Sequence, residues 1–113
     1  MAKPTFTLRA GEQFFAEKVS ADCWKMPQVI GKRQVSGKVY MTDQRVAFLA
    51  SGLVGTASVS WEIEMRDIAS VETCTTPPFF PFGIKILMRD GREYLLGMMK
   101  RDKYAAWIRD HIS

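Results

Sequence analysis

Apolar and polar residues alternate along most of the chain in short runs interrupted by Gly, Pro, Asp and Ser, the period-two signature of half-buried strands. The clearest case is Val59, Trp61 and Ile63, which alternate with Ser58, Ser60 and Glu62. Earlier, Glu12 to Trp24 predicts one strand, bent along its length, and Lys25 to Lys32 (KMPQVIGK) a loop, because Pro27 and Gly31 interrupt it. Arg33 to Thr42 places Val35, Val39 and Met41 on one face if the strand continues through Gly37, and Arg45 to Ala50 does the same for Val46, Phe48 and Ala50. Asp43 and Gln44 between them predict a tight two-residue hairpin. Ser51 to Gly55 (SGLVG) reads as a flexible connection, and Ile68 to Cys74 as a strand entered after the charged turn Glu64 to Asp67. Ile84, Ile86 and Met88 form another strand, and Asp90-Gly91 joins it to Arg92 to Leu96 as a hairpin.

Near the end the period changes. From Asp102 onward Tyr104, Trp107, Ile108 and Ile112 recur at three- and four-residue spacing, which predicts a helix with one apolar face and Lys103, Arg109 and Asp110 turned away. Asp102 either caps this helix or occupies its first turn, where a carboxylate meets the positive end of the dipole. About seven strands and one terminal helix imply a mostly β (α+β) fold, a bent antiparallel barrel whose open end the helix covers.

Size narrows this further. A chain of 113 residues with 47% hydrophobic content fits one domain spanning 1–113 and one core. No stretch approaches the roughly 20 apolar residues of a membrane span, and the first residues carry early charge without the apolar run of a secretion signal. Cytoplasmic residence follows as the expectation, and Cys23 and Cys74 then read as reduced, small buried hydrophobes. The net charge of +4 is uneven: positions 1–56 hold eight Lys/Arg against four Asp/Glu, and positions 57–113 hold eight of each. That places a candidate basic patch near the early loops, where phosphate is the natural partner.

The stretch Gly37 to Phe48 (GKVYMTDQRVAF) resembles the GRAM and bacterial pleckstrin-homology-like pattern of a strand ending in Thr-Asn-x-Arg before an apolar strand, with Asp43 standing where Asn is usual. Trp61 to Val71 (WEIEMRDIASV) is similar to that family's next strand, polar turn and Asp-Ile-x-x-Val segment, and Asp90-Gly91 and the closing helix stand in the expected places. The resemblance runs from about Gly11 to Ile112. It implies a seven-stranded bent barrel capped by a C-terminal helix, without cofactor, that binds phospholipid headgroups or proteins. In lipid-binding members, basic residues of the first strand loop and its flanks hold the phosphates. Lys25, Lys32, Arg33 and Lys38 match these by region and charge.

One segment stands apart. Thr75 to Gly83 (TTPPFFPFG) packs three prolines and three phenylalanines into nine residues. Prolines fix φ and remove donors, so it is expected to be a stiff loop that does not extend the neighbouring sheet. Its rings have two possible destinies. Phe82, next to a strand, is expected to fold back over the core, whereas Phe79 and Phe80 either join it or form an exposed apolar contact.

No nucleophile, base and orienting group come together in the sequence. His111 lies in the terminal helix, expected beside Tyr104 and Ile108, and no Gly-rich phosphate loop, metal-ligand spacing or hydrolase motif occurs. Glu62 and Glu64, two apart on one strand, are expected on a common solvated side. An enzyme and a metal site are therefore not expected. Nucleic acid is a poor fit too, because there is no aromatic pair on adjacent strands and no free recognition helix. What remains is a binding module, peripheral at the inner face of the membrane through anionic phospholipid, or alternatively a protein-interaction or homo-oligomerisation module using positions 75–83.

Overall fold

The computed structural model describes residues 6–26, 34–51, 60–76 and 80–112. Lys32, Arg33, Phe79, Val59 and most of the two loops expected at 25–32 and 51–55 lie outside them. The strands are β1 (Phe14–Lys25), β2 (Val35–Thr42), β3 (Arg45–Ala50), β4 (Trp61–Glu64), β5 (Ile68–Thr76), β6 (Phe80–Met88) and β7 (Glu93–Gly97), followed by helix α1 (Arg101–His111). All pairings are antiparallel, in the order β4-β3-β2-β1-β7-β6-β5. The long β1 pairs with β2 through residues 14–23 and with β7 through residues 22–25, so one strand joins two meanders.

Alternation places the core. Val39, Met41, Val46, Phe48, Ile84, Ile86 and Leu96 are fully buried on the inner faces, each bringing about 1.5–3 kcal/mol of burial. On α1 Tyr104, Ala105 and Ile108 are buried. Trp107 stacks on Phe15 with ring centroids 4.0 Å apart and donates from Nε1 to the Thr42 carbonyl at 3.0 Å, which fastens the helix to the mouth of the sheet. Lys100 precedes the helix in the left-handed region without a side-chain cap, and Asp102 stands in the first turn.

The hairpin at Asp43-Gln44 is held by the Thr42 hydroxyl, whose Oγ1 accepts from the amides of Gln44 and Arg45 at 3.0 and 2.9 Å. At the second hairpin the Gly91 amide donates to Met88 O and Gly91 adopts φ +94°, so the loop is a β-turn closed by a left-handed glycine. The charged segment after β4 is a 3₁₀ turn, Met65–Asp67.

Two expectations need correction. The Pro/Phe segment does extend the sheet: β5 runs to Thr76 and β6 starts at Phe80. The pairs Cys74↔Gly83 and Thr76↔Phe80 leave one extra residue on β6, and at such a bulge Pro81 need not supply a ladder N–H. Glu62 and Glu64 are not simply solvated, since Arg45 holds Glu62 at 2.7 Å and Arg9 holds Glu64 through both carboxylate oxygens. His111, expected beside Tyr104 and Ile108, stacks on Trp107, with centroids 3.9 Å apart and Nδ1 2.8 Å from the Trp107 carbonyl.

Candidate functional site

Ser20 and Asp22 alternate along β1 with buried Ala21 and Cys23, and therefore face outward. Pairing sets Lys38 of β2 opposite Ser20, and Ser36 opposite Asp22. These pairs bond across the strands: the Lys38 ammonium donates to Ser20 Oγ at 2.7 Å, and the Ser36 hydroxyl donates to Asp22 Oδ1 at 2.9 Å. On the other side Asp22 faces Gly97, which in turn faces Gly83. A Cβ at Gly97 would be a tight fit, 3.0 Å from Trp24 Nε1 and 3.2 Å from Thr76 Cγ2, so those side chains would have to shift slightly to admit it.

The result is an open groove of about 770 Å³ with a mixed lining. Ser20, Asp22 and Lys38 contribute polar groups, and Trp24, Phe80 and Met99 apolar ones. Its size lies in the range of small-ligand sites. Phe80 is 51% exposed and Met99 65% exposed. Phe82 is half-buried and stacks on Phe80 with centroids 5.9 Å apart, so it holds the outer ring in place rather than filling the core.

Of the residues expected to bind, the structure brings Lys38, Phe80 and Phe82 to this groove. Lys25 stands elsewhere, its ammonium 2.9 Å from Glu93 Oε2, and borders a separate shallow hollow beside Arg92. Lys32, Arg33 and Phe79 lie outside the described residues. Among the described residues the basic excess of the first half does not form one patch, because Arg9 and Arg45 pair with glutamates. Single residues such as Asp22, Trp24 and Met99 gave no sequence signal. Asp22 and Lys38 are sixteen positions apart, and only the β1-β2 register makes them neighbours.

Burial pushes both cysteine thiols above the ordinary range, which disfavours the reactive thiolate. The most strongly organised polar cluster lies away from the groove. There Arg45 grips the Glu12 carboxylate through Nε and Nη2, Thr42 donates its hydroxyl to the same carboxylate, and the Arg9 amide adds a bond at 2.9 Å. Its Arg45 donors reach Glu12, Glu62 and the Thr7 carbonyl, which makes it a fastening for the segment before β1.

No family profile and no curated protein matches the sequence. Solved structures do. The C-terminal domain of an unknown protein from Leishmania infantum superposes with a TM-score of 0.68 at 16% identity, covering 90% of this chain and 85% of that one. The Vps36 N-terminal PH domain superposes with a TM-score of 0.65 at 17% identity, covering 92% and 84%. Likeness at such identity concerns the fold, and with seven antiparallel strands capped by one C-terminal helix the chain has a pleckstrin-homology-like fold.

Proposed function

We propose that this chain is a non-catalytic binding module of the GRAM and bacterial PH-like kind, and that it docks on anionic phospholipid at the inner face of a membrane. The observation that carries this reading is the meeting of Lys38 with exposed Phe80 and Met99 in one groove. A cation beside two protruding apolar side chains matches an interface where phosphates lie directly above hydrocarbon. Lys32 and Arg33, in the segment leading into β2, add to the attraction. Lys25 stands apart from this groove, paired with Glu93. Among the described residues no helix is long and apolar enough to cross a membrane; the contact proposed is a peripheral one.

Vesicle co-sedimentation tests the proposal. Vesicles with about one third phosphatidylglycerol bind at low salt, pure phosphatidylcholine does not, and binding falls steeply as salt is raised. Lys38→Gln weakens binding about fivefold, in line with roughly 1 kcal/mol per basic residue at such a surface, and Phe80→Ser weakens it without changing the salt slope. Absence of sedimentation at low salt overturns the reading. If light scattering then reveals a dimer that Phe80→Ser dissolves, positions 75–83 are an assembly contact instead.

A further inference from the structure

The groove holds a carboxylate that a phosphate-only site would not favour. Asp22 lies on the same face of β1 as Ser20, two residues and therefore about 7 Å farther along. Lys38 and Asp22 form no ion pair. Each is tied to its cross-strand hydroxyl, Lys38 to Ser20 and Asp22 to Ser36, and the two charges stand side by side without cancelling. Each also keeps capacity to spare. The ammonium has three donors and gives one to Ser20, and among the described residues Asp22 Oδ2 accepts no bond. A purely anionic ligand drawn in by Lys38 would meet repulsion from Asp22. A ligand with a phosphate and a primary amine a few bonds apart would satisfy both.

We infer that the groove selects aminophospholipid headgroups, with the phosphate against Lys38, the ammonium against Asp22, and the acyl side of the interface at Phe80 and Met99. The inference rests on the membrane reading above and refines it. Exposed Phe80 and Met99 favour a lipid over a free phosphoamine, because a soluble headgroup offers them nothing to cover.

Phosphatidylserine and phosphatidylglycerol carry the same net charge, but only the first has an amine, together with a carboxylate, so the lipid preference of charge-matched vesicles compared between the native chain and Asp22→Asn isolates the role of Asp22. The native chain is expected to bind phosphatidylserine vesicles about fivefold more tightly than phosphatidylglycerol vesicles. Asp22→Asn is expected to erase that preference while leaving phosphatidylglycerol binding equal or stronger, and Lys38→Gln to weaken both. Equal binding of the two lipids by the native chain, or a preference that survives Asp22→Asn, overturns the inference and leaves the membrane reading standing. Failure to bind either lipid overturns both. The Asp22 side chain bonds only Ser36 among the described residues, and an unchanged urea midpoint for Asp22→Asn confirms that the readout concerns recognition and not folding.

Discussion

Arg45 is buried although it sits on the outward side of β3, because the segment before β1 lies over it. Its guanidinium donates to the Thr7 carbonyl at 2.8 Å, the Phe6 ring covers it at 4.3 Å, and Glu12 receives it bidentately. Hydrogen bonding from Arg45, helped by the Arg9 amide and the Thr42 hydroxyl, lowers the Glu12 pKa from 4.5 to about 2. The sign follows. A carboxylate whose folded pKa is depressed adds stability above its unfolded value and loses it as pH falls through the folded one, so the loss falls between about pH 4.5 and pH 2. A depression of that size corresponds to roughly 3 kcal/mol. Glu12→Gln at pH 7 is expected to lower stability by about 3 kcal/mol, since it removes the charge of one of the two carboxylates that Arg45 pairs with and leaves Glu62, itself half exposed, as the other. The variant should also flatten the acid limb when urea midpoints are compared at pH 7, 4 and 2.5. Parallel pH profiles for variant and native chain would remove Glu12 as the cause. None of this was legible in the sequence. Periodicity reports which positions are apolar, and Arg45 and Glu12, thirty-three positions apart, meet because a non-periodic segment folds across the sheet.

β1 serves both halves of the sheet because it bends, and the bend has a local cause. Its pairs Ala16↔Met41 and Val19↔Val39 take three steps on β1 for two on β2, so one extra residue bulges out. Lys18 sits there with φ +55°, a conformation that costs an L-residue about 1–2 kcal/mol. Lys18→Gly is therefore expected to raise stability by about 0.5–1 kcal/mol, less than the full relief because glycine gains freedom when unfolded. Lys18→Val should lower it by about 1–2 kcal/mol, because branching at Cβ suits that region worst. Urea unfolding at constant slope reads both, and equal midpoints for glycine and valine would mean that the bulge relaxes freely. The elements themselves were largely legible: alternation foretold β2, β3 and β6, and the change of period foretold α1. Irregularities were not. The bulge in β1 and the early start of β6 depend on a neighbouring strand's register, and the rule that prolines interrupt strands misplaced β6 because Pro81 falls at a second bulge.

Over the whole molecule, the decisive relation is that β1 has β2 on one side and β7 on the other. That neighbourhood brings Lys38 and Phe80 into one groove, and no local pattern reveals it, which is why the candidate site was legible only in separate pieces. Closing the sheet this way requires a tight curl, and the inner row Ala21, Gly37 and Ala50, paired across β1, β2 and β3, supplies it with small residues. Gly37 is the tightest point. A Cβ there would lie 2.5 Å from the Leu49 carbonyl oxygen, 2.8 Å from the tip of the Phe48 ring and 2.9 Å from the Ala50 Cα. The ring has some freedom to turn aside, but two of the three obstacles are backbone of β3, so the strands must separate to admit a methyl group. Gly37→Ala is accordingly expected to cost about 1–3 kcal/mol, as overpacking of a filled core does. Trimming the ring with Phe48→Leu in the same chain should not restore the loss, because the carbonyl obstacle remains. Recovery of the native urea midpoint in that double variant would mean that the ring alone sets the fit, and that the curl of the sheet has slack the backbone contacts deny.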